Sequence, residues 1–290
     1  MTAPLLADAL GPRARRVVLI ASIVSGLVIA GLVAVAVLRL LDKGQLASSR
    51  WEPLTRLSVL RFLLGGMVQT LKVAGVAMGL AMAVGALMAL GRLGRRRLVR
   101  WPAVAYIEFF RAVPLLLLIL FTAFALPRYG VHLALFWYLV IALLAYNSAV
   151  LAEIFRSGIL SLDRGQSEAA LALGLSYRQT MRLVVLPQAL RRMVPAIVSQ
   201  LVTLLKDTSL GSVISYEELL RRGQLTGEAF HDLLQALVLV AAFYMLVNFT
   251  LSRLAARLEV RQRRRLRAGA ISVAGIEDLA VVRAAADADA

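Results

Sequence analysis

The chain has 290 residues, 60% of them hydrophobic, with a mean hydropathy of +0.78 and a formal net charge of +16. This is more apolar side chain than one soluble core needs, so the composition excludes an ordinary soluble domain and predicts an integral membrane protein. A charge of +16 in a soluble protein would favour nucleic-acid binding, but here basic clusters alternate with apolar runs, as membrane orientation requires. We therefore expect contact with membrane lipid and no nucleic-acid partner.

The first apolar run, residues 17–41, follows Arg13, Arg15 and Arg16 and is long enough for a tilted transmembrane helix. A signal peptide is the alternative, but its apolar region would be about 7 to 15 residues long and would end in a small-residue cleavage site. We predict a retained anchor within residues 1–41. Residues 42–61 are polar and are predicted to form an external loop or an interfacial helix.

Five further spans complete a predicted all-α membrane protein of about six transmembrane helices, a five-helix core with one extra N-terminal helix. They cover roughly residues 63–90, a stretch ending at 126, 133–151, 192–214 and 233–251. With both termini cytoplasmic, the basic clusters at 13–16, 92–100, 156–192 and 253–267 all fall on the cytoplasmic side. The core is assigned to residues 62–257, and residues 258–290 are expected to form a basic and then flexible cytoplasmic tail.

Two pairs of opposite charges lie at helical i,i+3 spacing near the predicted inner face. Because residues 113–126 are too few to cross a membrane, the third span must include part of the preceding YIEFFRA stretch, which brings Glu108 and Arg111 to the inner edge or deeper. Glu153 and Arg156 repeat the spacing after the fourth span. Each pair is either an interfacial ion pair that fixes a helix end or part of a gate at the inner mouth.

Residues 165–187 interrupt the membrane-like sequence and are predicted to form two short helices that meet at a corner. A run of good helix formers begins at Glu168, and Gly174 stands where a left-handed C-cap would end it. Ser176 and Gln179 have the spacing of a capping box for the second helix. Pro187 is predicted to close that helix.

The motif formed by Glu168, Ala169, Ala170, Gly174 and the VVLP ending at residues 184–187 resembles the EAA loop of binding-protein-dependent ABC importer permeases. The stretches at residues 106–118, 145–174 and 186–210 are similar to the polar-amino-acid uptake branch of that family. The resemblance covers roughly residues 60–255. The combination of EFFRAVP, KDTSL and ISYEELLR looks most like glutamate-type permease subunits of actinobacteria.

The resemblance implies a division of labour between subunits. The chain contains no G-x-x-x-x-G-K-[ST] motif, so it is not expected to be its own ATPase or to bind a cofactor. A partner ATPase dimer would bind ATP and Mg²⁺, alongside a second homologous permease subunit, in a heterodimer or a homodimer, and an external amino-acid-binding protein. The ATPase contact would be formed by the loop residues Glu168, Ala169, Ala170, Gly174, Leu186 and Pro187.

A charged pair is predicted inside the fifth span. Residues 194–205 are too short to cross about 30 Å of hydrocarbon, so the span must continue through Lys206 and Asp207 towards residue 214. Charge at that depth is costly unless it lines water or a binding cavity. The predicted translocation path comprises Thr203, Lys206, Asp207 and Ser209 from this span and Tyr146 and Asn147 from the fourth.

Alternatives remain at this point. Lys206 and Asp207 could hold the amino and carboxylate groups of an amino acid, or they could only neutralise each other or an adjacent helix. An ion-coupled secondary carrier would also explain buried charge, but it leaves the cytoplasmic loop without a purpose. A membrane scaffold without transport would need no buried charge.

Overall fold

The computed structural model describes residues 11–94, 96–253 and 256–257, without the side chains of Pro12 and Arg164. Residues 1–10 and the predicted tail at 258–290 lie outside the described residues. Across the described ranges the chain is helical and has no strand, which confirms the predicted all-α fold. In that part of the chain, five helices are long and apolar enough to cross a membrane, and six if one bent pair is a single span.

The helices are numbered in chain order. The elements are α1 (Pro12–Asp42), α2 (Ser48–Trp51), a 3₁₀ turn (Glu52–Thr55), α3 (Leu57–Leu93), α4 (Arg97–Ala112), α5 (Leu115–Arg128), α6 (Leu135–Leu160), α7 (Arg164–Ala172), α8 (Tyr177–Gln179), a π-helical turn (Thr180–Val185), α9 (Leu186–Asp207), a 3₁₀ segment (Thr208–Ile214), α10 (Leu219–Phe230) and α11 (Leu233–Arg253).

The chain divides into two compact units, one ending at Val59 and one beginning at Leu60. The first unit contains α1, which coincides with the predicted N-terminal span. The most apolar 18-residue stretch of this helix has no buried residue. A helix that is apolar on all sides and covered by nothing in its own unit is suited to lipid. The predicted external loop contains α2 and the 3₁₀ turn, and the second span begins earlier than predicted, at Leu57.

In the second unit, α6 forms the centre of the core. Helices α4, α5 and α9 all pack against it. Its buried face carries Leu139, Leu143 and Leu151, each with less than 2% of its surface exposed. Because three neighbouring helices surround α6, polar side chains on it are held between helices rather than in lipid.

The segment of the predicted third span is a bent pair of helices rather than one continuous helix. Helices α4 and α5 meet at an angle of 99° at Val113 and Pro114. Pro114 has no N–H to continue the helix, and Val113 before it has an extended backbone, with φ −81° and ψ 129°. Glu108 and Arg111 therefore lie on α4, apart from the apolar α5.

Two other helices are longer than predicted. Helix α6 continues to Leu160 instead of ending near residue 151, so Glu153 and Arg156 lie within it rather than after it. The fifth span does continue through Lys206 and Asp207, as its length required, and then tightens into the 3₁₀ segment that ends at Ile214.

Close packing of α3 on α6 depends on Gly85. A Cβ atom there would lie 2.8 Å from the carbonyl oxygen of Ser148 and 3.0 Å from Cβ of Leu151. Gly75 and Gly79 on the same helix face open space instead. Of these three glycines, Gly85 is therefore the one where close packing requires the absence of a side chain.

We expect Gly85→Ala to destabilise the protein, because the new methyl group must push apart two helix backbones, at a cost of about 1–3 kcal/mol. Gly79→Ala is the matched control, since the same methyl group enters open space and alanine favours helix. The measurement is the thermal unfolding temperature of the purified chain in detergent. An equal temperature for both variants would contradict the packing assignment.

Candidate functional site

The loop after α6 forms a compact corner, which we call the knuckle (residues 163–187). The Asp163 side chain caps the start of α7 by accepting a hydrogen bond from the Gly165 N–H at 3.0 Å. At the other end, Gly174 has φ +84°, as predicted, and its N–H donates to the Leu171 carbonyl. The Leu175 N–H donates to the Ala170 carbonyl, which completes a Schellman cap.

The second half of the knuckle begins with the predicted capping box. The Ser176 N–H donates to Oε1 of Gln179 at 2.8 Å, and the Gln179 N–H donates back to the Ser176 hydroxyl.

The prediction that Pro187 ends the second helix of the knuckle is wrong. A π-helical turn precedes it, in which the Leu186 N–H bonds to the Met181 carbonyl, five residues back. The chain then runs on as α9, because the proline falls in the first turn, where a missing N–H costs little.

The knuckle presents both polar and apolar side chains at its surface. Of the six predicted coupling residues, those exposed are Glu168, Ala169, Gly174 and Pro187. Leu186 is half-buried, and Ala170 is buried and packs inside the knuckle. Two apolar side chains that the motif did not single out, Leu173 and Tyr177, are 84% and 63% exposed. An exposed leucine and tyrosine beside a rigid corner fit a protein contact.

Side-chain hydrogen bonds tie the knuckle to the helix bundle. Gln188 Nε2 at the start of α9 donates to Gln166 Oε1 on α7 at 3.2 Å. Arg192 Nη1 donates to the Ser161 carbonyl at 2.6 Å, just after the end of α6. The knuckle is therefore connected through side chains to both α6 and α9.

A network of four charged side chains joins α3, α4 and α6. Nη1 of Arg92 lies 2.8 Å from Oε1 of Glu108 and 2.9 Å from Oε1 of Glu153. The predicted Glu153–Arg156 pair is present at 2.9 Å. Glu108 pairs with Arg92 rather than with Arg111, whose side chain is exposed. Sequence reasoning used Arg92 only as part of a basic cluster, because nothing in local spacing links it to α4 or α6.

The polar side chains in the middle of α6 contact neighbouring helices. Asn147 is fully buried, and its Oδ1 accepts a hydrogen bond from Nε2 of Gln200 on α9 at 2.7 Å. The neighbouring Ser148 hydroxyl pairs with that of Tyr106 on α4 at 2.8 Å. Tyr146 is half-buried against the core. Asn147 thus connects α6 to α9.

The charged pair near the end of α9 has unequal exposure. Lys206 and Thr203 are exposed, whereas Asp207 is half-buried. Adjacent residues on a helix point in different directions, so Lys206 and Asp207 do not face each other. The Thr203 hydroxyl donates to the Ser199 carbonyl at 3.1 Å and that of Ser209 to the Lys206 carbonyl at 2.7 Å. These hydroxyl groups are engaged with their own helix.

Comparison with known proteins gives consistent matches. The family model described as "Binding-protein-dependent transport system inner membrane component" matches residues 75–264. The chain is 42% identical over 231 residues to the "Glutamate transport system permease protein GluD" of Corynebacterium glutamicum, covering 78% of this chain and 83% of that protein. It is 44% identical over 206 residues to the "Probable glutamine ABC transporter permease protein GlnP" of Bacillus subtilis, covering 70% and 94%.

Solved structures agree with this match. A chain of the "Crystal structure of an amino acid ABC transporter with histidines" is 30% identical, with a TM-score of 0.69, over 72% of this chain and 97% of that one. The inward-facing MetNI methionine ABC transporter, at 23% identity and a TM-score of 0.56, shares the fold. From the family match over most of the chain and the identity to the two bacterial permeases, it follows that this chain belongs to the binding-protein-dependent transport system inner membrane components.

Proposed function

We propose that this chain forms the translocation path of an ATP-driven importer for glutamate or a related polar amino acid. The family match identifies the chain as a permease component of an ABC importer. It disfavours the ion-coupled secondary carrier, which would also have explained charged residues inside a span. The observation that carries the proposal is the knuckle: a rigid, exposed corner, hydrogen-bonded to two core helices, within the segment that the family model matches.

The knuckle is the proposed contact with a partner ATPase, which would bind ATP and Mg²⁺ for the assembly. Glu168 and Ala169 are exposed beside Leu173 and Tyr177, so polar and apolar groups are available to a partner. Gly174 sets the turn, and Leu186 and Pro187 lie where the knuckle joins α9. Because the knuckle is tied to α6 and α9, ATPase closure would move both helices.

The charged network is the proposed inner gate. Arg92 joins separate helices through Glu108 and Glu153, and Arg156 completes the network, with Arg111 exposed nearby in sequence on α4. These ion pairs link the bent α4–α5 pair to α6, the helix that leads into the knuckle. Separation of α4 from α6 would break them, so they favour the state in which these helices are together.

Thr203, Lys206, Asp207 and Ser209, with the half-buried Tyr146, are the proposed lining of the path. Asn147 was predicted to line the path too, but it is fully buried and bonded to Gln200, so its role is to connect α6 to α9. Lys206 is exposed on the chain's own surface, where a substrate carboxylate or a second homologous permease subunit can reach it. That subunit would be a different chain or a second copy of this one. An external amino-acid-binding protein would deliver the substrate to the bacterial inner membrane.

The coupling proposal is tested by ATP-dependent uptake across a panel of amino acids, using the complex purified through a tag on this chain. We expect Glu168→Lys and Gly174→Asp to abolish uptake while the chain stays in the membrane. Gly130→Asp is the matched control, because Gly130 has the same left-handed backbone, φ +83°, and open surroundings, but lies outside the knuckle. Normal uptake in both knuckle variants, or uptake driven by an ion gradient without ATP, would contradict the proposal.

For the path, we expect Lys206→Met and Asp207→Asn each to reduce uptake at least tenfold, or about 1.4 kcal/mol of lost interaction, because each removes one charge that the substrate would meet. Assembly and basal ATPase activity should stay near normal. Lys43→Met removes a lysine from the first unit and serves as the control. Loss of the assembled complex would instead favour a structural role for the pair.

Both termini are proposed to be cytoplasmic. A reporter fused after Arg16 and another after Arg267 should then be cytoplasmic, and one inserted near Ser48 should be external, because the basic clusters stay inside. The measurement is enzyme-reporter activity on each side of the membrane. Recovery of a mature chain that begins near residue 42 would show that the first span is a cleaved signal peptide.

A further inference from the structure

An open cavity of about 560 Å³ lies between α3, the start of α6 and the segment that leads into α10. Its lining includes Gln69 and Lys72 from α3, Phe136 from α6, and Tyr216, Glu217 and Arg222. This volume is within the usual range for small-molecule sites, about 300–1,000 Å³. The cavity is separate from the knuckle and from the charged pair at the end of α9.

The walls of the cavity are fixed by hydrogen bonds between distant parts of the chain. The Tyr216 hydroxyl donates to Oε1 of Gln69 at 3.3 Å, and the Leu219 N–H donates to the Thr70 hydroxyl at 3.2 Å. Before α10, Ser215 holds a left-handed backbone with φ 61°. Groups on this wall are therefore held in place before any ligand arrives.

A buried carboxylate anchors the same wall from behind. Glu218 is fully buried and accepts hydrogen bonds from the Leu220 and Arg221 N–H groups and from the Tyr244 hydroxyl, at 2.9, 2.8 and 2.7 Å. Burial raises the pKa of Glu218 above the usual carboxyl range, against the opposing effect of these hydrogen bonds. With its oxygens occupied, Glu218 caps α10 and does not face the cavity.

The charges that do line the cavity are unbalanced. Arg222 is held by the Phe62 carbonyl at 3.0 Å and stands 3.5 Å from Oε2 of Glu217, which offsets its charge. Lys72 is exposed on α3, and no carboxylate in the described part of the chain lies within ion-pair distance of it. Two cations and one carboxylate give the lining a net charge of +1. A cation in a spanning helix without an ion-pair partner is energetically costly, so it indicates a ligand site.

We infer that this cavity is a selectivity site for acidic amino acids, in which Lys72 binds a substrate carboxylate. The inference rests on the proposed import of amino acids. An acidic amino acid carries two carboxylates and one ammonium group, a net charge of −1, which matches one carboxylate and two cations on the wall. A neutral amino acid such as glutamine leaves Lys72 without a counter-charge, so the site discriminates by charge rather than by size.

The test is equilibrium binding of labelled glutamate to the purified complex without any binding protein, so that only the permease site is measured. Lys72→Gln should raise the Kd for glutamate at least tenfold, while Lys72→Arg, which keeps the charge, should stay within about threefold, or less than 1 kcal/mol. Lys43→Gln is the control that removes the same charge elsewhere and should bind as the wild type does. Unlabelled glutamine should compete at least tenfold more weakly than glutamate.

Several outcomes overturn the inference. A Kd unchanged by Lys72→Gln would show that Lys72 does not bind the substrate carboxylate. Glutamine binding as tight as glutamate binding would show that the site does not discriminate by charge. If the wild type shows no saturable glutamate binding, the site is excluded. The proposed function would still stand in that case if the complex takes up another amino acid in an ATP-dependent way. Absence of all ATP-dependent amino-acid uptake would reject the proposed function itself.

Discussion

Inside a membrane every backbone N–H and C=O must find its partner within the protein, because hydrocarbon offers none. Continuous helices meet this condition automatically, so each interruption of a helix needs its own local solution. At Pro114 the missing N–H coincides with the separation of α4 from α5, and at Gly174 two hydrogen bonds close the end of α7. Glu108 lies near the end of α4, before the Pro114 break, and the knuckle contains the Gly174 turn.

Features with local causes were predictable from the sequence. Apolar length located the spans, and short-range hydrogen bonding located the left-handed turn at Gly174 and the capping box at Ser176. Two of the errors came from prolines, because the effect of a proline depends on its position within a helix. Pro114 ends one because Val113 adopts an extended backbone, whereas Pro187 falls in the first turn of α9 and ends nothing.

Contacts between distant residues were beyond local reasoning. Spacing suggested that Glu108 would pair with Arg111, yet its partner is Arg92 on another helix. The Asn147–Gln200 hydrogen bond spans 53 residues, and only the packing of α9 on α6 brings its two amides together. Lys72 lies on a spanning helix, and its cavity exists only because the segment before α10 folds back onto α3. Such sites become visible only once the helices are assembled.

The π-helical turn before α9 has a mechanical consequence. A π turn accommodates one residue more than an α turn, and each residue of an α-helix advances the chain by about 100° around the axis. The hydrogen bond from Leu186 to Met181 therefore sets the azimuth of α9 relative to α8. Exchange of that bond for a four-residue one would turn α9 about its own axis without unfolding it. Such an exchange would change the direction in which Lys206 and Asp207 point relative to the knuckle.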